Sequence, residues 1–236
     1  MTWPQTSDAS PAGRGRYNRQ LIVALPGGGD DAATSTQAEA LDRKRREPPL
    51  PSEVVVVRRG PAAEHRADGG DIDELRRALA GRRQVPLPVN GRSRLYLVGV
   101  GNVAERTLAD WPPAALAALL AGAGLRELAL ISIVSDGAGR DPDRDDAGQV
   151  DPEATSFASL LHRLLRDDHG IVTTVNARVG AVRVLSSPTP SGAAVIAVGR
   201  KLTAPHPDSE ANEHHAPHSK LHLRWDGGRQ LREWSY

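Results

Sequence analysis

Apolar runs alternate with amphipathic segments along the first 170 residues of the chain. The runs are rich in Val, Ile and Leu, which is typical of strands that are buried on both faces. They predict strands at 20–25, 52–60, 94–100 and 127–137. The segments that follow them predict helices at 31–47, 71–83, 112–122 and 152–168. Strands that alternate with helices favour an α/β fold, with a mainly parallel central sheet flanked by helices on both faces.

The pattern changes after residue 170, where short strand-like runs are separated by turn residues without intervening helices. Such a pattern favours antiparallel hairpins. We therefore expect one domain at 17–236, made of an α/β core at 17–176 and a C-terminal antiparallel β-flap at 177–236. Residues 1–16 have no periodic apolar pattern, and we expect them to form a disordered leader.

A glycine pattern follows the third predicted strand, where Gly99, Gly101 and Ala104 have the spacing of a dinucleotide-binding fingerprint. That fingerprint needs a long helix directly after the turn, and the proline pair at 112–113 prevents one. The acid that ends the next strand, Asp136, is also too distant to bind the ribose. We therefore expect a shaped strand-end turn and no required cofactor.

Composition removes several classes of function. The chain has no cysteine, which excludes disulfides, thiolate metal sites and a cysteine nucleophile. A net charge of +1 gives no overall attraction to nucleic acid or to a membrane, so we expect neither as a partner. Residues 1–16 lack the apolar core of a signal peptide, and no apolar run is long enough to span a bilayer. The expectation is a soluble chain with no signal peptide.

Two clusters of metal-ligating residue types do not predict a metal site. Loop 141–153 has alternating aspartates, but the positions where a calcium loop needs Gly and a bidentate acid hold Asp146 and Pro152. His214 and His218 have helical spacing for a shared metal, but the proline between them favours a loop. We expect no metal.

Several stretches together resemble one family. "RYNRQLIVAL", "RLYLVGVGN", "LALISIVSDG", "VGRKLT" and "SKLHLRWD" occur in the order, and at about the spacing, of motifs in the autoprocessing cysteine protease domain of large bacterial toxins. That domain is found in the multifunctional repeats-in-toxin and large clostridial toxins, so the resemblance leaves two locations open: cytoplasmic, or delivered as part of a toxin system. The resemblance covers about residues 16–231 and implies a caspase-like fold.

The chain differs from the family at the two positions that hold the family's catalytic residues. Val100 occupies the position of the family's catalytic histidine, and Asp136 occupies that of its catalytic cysteine, preceded by Ser135. Valine accepts no proton, and aspartate is a poor nucleophile towards amides. The family cleaves after a leucine in its leader, yet the first leucine here, Leu21, lies inside a predicted strand. The resemblance therefore implies a pseudoprotease.

Two alternatives stay open from the sequence. Ser135 or Asp136 could serve an active hydrolase of the caspase-like clan, although the strand that should supply the base has no histidine. The chain could also be an interaction scaffold that binds a protein partner and no small ligand.

The resemblance also implies an anion site, because the family is activated by inositol hexakisphosphate bound in a basic pocket. Such a ligand requires several basic side chains that converge from separate elements. Matching positions in this chain hold basic residues, with a histidine in place of one lysine: Lys44, Arg45, Arg94, Arg200, Lys201, His215 and Lys220. The competing interpretation is that these charges are ordinary solvated ones, as at the basic end of a helix. The expected ligand is inositol hexakisphosphate or a similar polyanion.

Overall fold

The computed structural model of this protein describes most of the predicted core. The described residues are 17–27, 31–42, 51–58, 73, 75–76, 91–141, 155–180, 182–185, 200–203 and 220–235. The predicted leader, 1–16, and the histidine-rich loop around 214–218 lie outside them.

The predicted elements of the α/β core are present in the described residues. The strands are β1 (Arg19–Ala24), β2 (Ser52–Val56), β3 (Ser93–Val98), β4 (Gly101–Asn102), β5 (Thr107–Leu108), β6 (Leu130–Val134), β7 (Thr174–Arg178), β8 (Val182–Leu185), β9 (Arg200–Thr203), β10 (Lys220–Asp226) and β11 (Arg229–Ser235). The helices are α1 (Asp31–Asp42), α2 (Pro113–Gly122) and α3 (Phe157–Asp167). Of the helix predicted at 71–83, the described residues 73, 75 and 76 are helical.

The main sheet has seven strands in the order β11-β10-β7-β6-β3-β1-β2. Strands β2, β1, β3, β6 and β7 pair in parallel, whereas β10 pairs antiparallel with both β7 and β11. The α/β class and the mainly parallel sheet predicted from the sequence are therefore confirmed.

The C-terminal strands do not all form one flap. Strands β10 and β11 extend the main sheet, and within the described residues β8 and β9 pair with each other in a separate two-stranded sheet. The division into a core at 17–176 and a flap at 177–236 stays a prediction. Hydrophobic alternation identified these strands, but it carries no information about which strand each one pairs with.

The sheet has two unlike faces because successive side chains of a strand point in opposite directions. Helices α2 and α3 cover one face, here called the α2–α3 face, together with the largest cluster of buried apolar side chains. The strand residues in this cluster include Leu97, Ile133, Val175 and Leu223. The sequence supports both helices, since Pro113 starts α2 and the Ser156 hydroxyl caps α3 by accepting from the Ser159 N–H at 3.2 Å.

The opposite face, here called the α1 face, has a smaller apolar cluster. Helix α1 and the start of β8 pack over β1 and β3 through Ile22, Leu41, Val98 and Val182. Over β6, β7 and β10 the residues on the same face are largely polar or charged, as the register aligns Ser132 with Asn176 and Asn176 with His222. This part of the α1 face is where the basic residues described below lie.

A compact loop follows β3 in place of the helix that a dinucleotide fold would need. Strands β4 and β5 form a two-residue ladder, and Arg106, Ala109 and Asp110 have positive φ angles of 54°, 49° and 63°. Such backbone conformations are uncommon for residues other than glycine. Gly99 and Gly101 stand at the start of this loop, and their role in shaping a strand-end turn stays a prediction.

Candidate functional site

Val100 and Asp136, the two positions that the resemblance aligns with a catalytic pair, follow neighbouring strands of the main sheet. Strands β3 and β6 are parallel with Val98 opposite Val134, so Val100 and Asp136 each follow their strand by two residues. A Cβ at Gly101 would collide with the Ser135 hydroxyl and the Asp136 carbonyl. The two strand ends are therefore in close contact, and Val100 at this edge is 38% exposed.

Ser135, the alternative nucleophile, is buried and only 4% exposed. Its hydroxyl has no hydrogen-bond partner within the described part of the chain, so no base is positioned to take its proton. The buried His162 cannot serve, because its Nε2 is 2.9 Å from the Thr173 carbonyl and its Nδ1 is 2.8 Å from the Gln230 amide. Burial lowers the pKa of His162, and its ring stacks on Trp225 at 4.8 Å.

Asp136 has a structural partner. Its carboxylate accepts a hydrogen bond from the backbone N–H of Val182, the first residue of β8. Backbone bonds flank this contact, since the Gly137 N–H donates to the Gly180 carbonyl at 3.2 Å and the Gly139 N–H donates to the Arg178 carbonyl at 2.8 Å. The loop after β6 is thus joined to the segment between β7 and β8.

Three basic side chains converge on the polar part of the α1 face. Arg94 on β3, Arg178 at the end of β7 and Lys220 at the start of β10 line one open cavity of about 110 Å³. Lys220 and Arg178 are register partners in the antiparallel pair of β10 and β7. The cavity floor includes Ser132 and Asn176, each 8% exposed. Three cations from three separate strands make this a candidate anion-binding site.

Aromatic and amide groups hold Arg94 in place. Its guanidinium lies over the rings of Tyr17 and Tyr96, at 4.9 Å and 4.8 Å from their centroids, and Nη2 donates to Gln20 Oε1 at 2.7 Å. These contacts restrict the guanidinium, so little conformational entropy remains to be lost on binding. Its buried Nε has no hydrogen-bond partner among the described residues and is therefore a donor that a ligand could use.

Burial lowers the pKa values of the basic groups around the cavity, and neighbouring positive charges lower two of them further. Burial, with Arg178 and Arg94 nearby, lowers the pKa of Lys220 to about 8. Burial and the adjacent Lys220 lower the pKa of His222 to about 4, with Glu233 acting in the opposite direction. Burial also lowers the pKa of Arg178. A bound anion would oppose the effect of the neighbouring positive charges and raise the pKa of Lys220.

The structure brings together two of the basic residues predicted from the sequence, Arg94 and Lys220. Lys44, Arg45 and His215 lie outside the described residues. The backbone of Arg200 and Lys201 is described in β9, and their side chains are not. No statement about their place in the site follows from the structure.

Sequence reasoning missed Arg178 and Asn176. The signal was present in "TVNAR", where two polar residues at a spacing of two interrupt a buried strand, which puts both on one face. Their side chains lie beside Ser132 and Lys220 at the cavity. Polar residues at alternate positions of an otherwise apolar strand indicate a candidate site as well as the basic pairs do.

Neither a metal centre nor a membrane span is found in the parts of the chain that the structure describes. No group of three or more His, Cys, Asp or Glu there is arranged to hold a metal ion, and no helix is long and apolar enough to cross a bilayer. No protein-family model matches the chain, and no curated protein matches it either.

Proposed function

We propose that this protein is a polyphosphate-binding regulatory or interaction module, related to toxin autoprocessing domains but without their protease chemistry. The observation that carries the proposal is the convergence of Arg94, Arg178 and Lys220 on one cavity of the α1 face. Among the described residues that line the cavity there is no carboxylate, and the basic side chains there would attract a ligand that carries negative charge.

The chemistry of the cavity favours phosphate over a carboxylate ligand. Two guanidinium groups and an ammonium can surround a group that carries three acceptor oxygens, which suits a phosphoryl group. A volume of about 110 Å³ has room for about four water molecules at roughly 30 Å³ each, so a single phosphoryl group fits. The remaining phosphates of inositol hexakisphosphate would extend through the open side of the cavity.

The absence of protease chemistry rests on Val100, Asp136 and Ser135. Val100 offers no proton acceptor, and the Asp136 carboxylate is engaged by the Val182 N–H. The Ser135 hydroxyl is buried with no described histidine beside it. A serine nucleophile needs such a base, so the arrangement favours a binding role over hydrolysis.

Thermal unfolding with and without inositol hexakisphosphate tests the binding role. At a ligand concentration of about one hundred times Kd, binding adds roughly 2.7 kcal/mol to the free energy of unfolding. For a domain of this size, that stabilisation raises Tm by about 5–10 °C. We expect Arg178→Ala and Lys220→Ala to remove most of the shift.

The matched control is Arg163→Ala, which deletes an exposed arginine of α3, on the opposite side of the sheet. This variant should keep the full shift. Inorganic phosphate should raise Tm less than inositol hexakisphosphate, because one phosphoryl group provides fewer contacts. A wild-type chain with no shift in either ligand, or an equal loss in all three variants, would overturn the proposal.

Incubation with leucine-containing peptides tests the hydrolase alternative. We expect no turnover above the rate of a heat-denatured sample. Turnover by the wild type that disappears in Ser135→Ala would contradict the pseudoprotease assignment and support the hydrolase.

A further inference from the structure

The side chain of Asp136 bonds the loop after β6 to a segment that carries one of the cavity's cations. Its carboxylate accepts from the Val182 N–H, and Val182 itself is 6% exposed among Val98, Val134 and Tyr96. Four residues before Val182 stands Arg178, which lines the cavity. The bond therefore acts on the position of a cavity residue without touching the cavity.

Three hydrogen bonds attach the β7–β8 segment to the loop after β6. They involve every second residue of that segment. Arg178 and Gly180 accept through their carbonyls, and Val182 donates through its N–H. Two of the three contacts are backbone bonds that no substitution removes directly. The third depends on the Asp136 carboxylate, and hydrogen bonds to a charged group are roughly twice as strong as neutral ones.

We propose that Asp136 is a positioning residue that holds the β7–β8 segment against the end of β6 and so forms the cation cluster before any ligand binds. The inference rests on the proposed polyphosphate site for its functional consequence. A preformed cluster raises apparent affinity, because a protein whose competent state is only partly populated binds more weakly in proportion to that fraction. The position that would carry a nucleophile in an active relative thus serves the binding site here.

Two variants distinguish the effect of the Asp136 hydrogen bond from the effect of the space that its side chain fills. Asp136→Ala removes the acceptor, whereas Asp136→Asn keeps an oxygen that can accept from the Val182 N–H. The matched control is Asp141→Ala, since Asp141 accepts from the Ser156 N–H at 2.8 Å and does not line the cavity. Its loss should affect the start of α3 and leave the β7–β8 segment unchanged.

The first readout is amide hydrogen exchange of the ligand-free proteins, resolved at Val182 and at the buried helix α3. We expect exchange at Val182 to rise roughly tenfold to a hundredfold in Asp136→Ala, as for the loss of a charged hydrogen bond. Exchange in α3 should stay the same, and Asp136→Asn should remain close to wild type. Unchanged exchange at Val182 in Asp136→Ala would overturn the inference.

The second readout is the affinity for inositol hexakisphosphate by titration calorimetry. We expect it to fall about tenfold in Asp136→Ala, to recover in Asp136→Asn and to stay at the wild-type value in Asp141→Ala. Faster exchange at Val182 with unchanged affinity would contradict the positioning role. A wild type that does not bind overturns the proposed function instead, and the exchange measurement still decides whether Asp136 holds the segment, because it uses no ligand.

Discussion

The two faces of the central sheet treat charge in opposite ways. On the α2–α3 face, the buried charges of Arg19 and Glu53 neutralise each other in an ion pair of 2.9 Å, with both side chains at most 6% exposed. On the α1 face, Arg94, Arg178 and Lys220 gather around an open cavity whose lining, in the described part of the chain, includes no acidic residue. Burial without a counter-charge is costly. The α2–α3 face thus contains a paired buried charge, whereas the role that we propose for the α1 face is to bind a ligand that carries negative charge.

The largest expected effect comes from breaking the ion pair of the α2–α3 face. Glu53→Leu leaves the Arg19 guanidinium buried without its carboxylate, and such a loss costs about 3–5 kcal/mol of the free energy of unfolding. Urea denaturation measures the change. The control is Arg58→Ala, which removes a pair with Asp31 whose side chains are 64% and 54% exposed, so the cost should be below about 1 kcal/mol. Equal costs in both variants would contradict the comparison.

A second contrast uses adjacent residues of β6 that point to opposite faces. Ile133→Ala deletes a buried side chain of the α2–α3 face and should cost about 2–5 kcal/mol through lost burial and the cavity that remains. Ser132→Ala, on the α1 face, should cost about 1 kcal/mol, as for one lost hydrogen bond. The denaturant concentration at the midpoint of unfolding measures both costs, with the same slope of free energy against denaturant applied to both variants. A larger loss from Ser132→Ala would show that the α1 face carries more of the stability than we infer.

The third expected effect is a pH dependence from Lys220. Its pKa is about 8 in the folded protein and 10.5 in the reference state, so between these values the unfolded chain binds more protons. The free energy of unfolding contributed by this residue therefore rises with pH across that window, and below pH 8 its charged form destabilises the fold. The difference in stability between wild type and Lys220→Met, followed from pH 7 to 10.5, should grow in favour of wild type.

The lowered pKa of Lys220 also predicts that ligand affinity depends on pH. Because an anion favours the charged form of Lys220, affinity for inositol hexakisphosphate should fall as pH rises above about 8. Lys220→Met should lose this dependence and keep a weaker, flatter affinity. A difference in the free energy of unfolding between wild type and Lys220→Met that stays constant across pH 8–10.5 would mean that Arg178 and Arg94 do not lower the pKa of Lys220.

Much of the fold was predictable because its signals are local. Val-, Ile- and Leu-rich runs such as 20–25 and 127–137 identify strands by their composition, and Pro113 marks a helix start through its fixed φ. The site was predictable only in part: Arg94 and Lys220 were identified, whereas Arg178 was missed in a strand that looked purely structural.

The sequence by itself determined which residues are apolar, where strands and helices begin, and that no thiol chemistry is available. The tertiary structure alone decided that β10 pairs with β7, which sets Lys220 opposite Arg178, and that the Asp136 carboxylate meets the Val182 N–H. The physical reason is the separation along the chain over which each kind of interaction acts. Hydrophobic periodicity acts over a few neighbouring residues, whereas strand pairing and charge convergence join positions more than forty residues apart, whose partners only the complete packing selects.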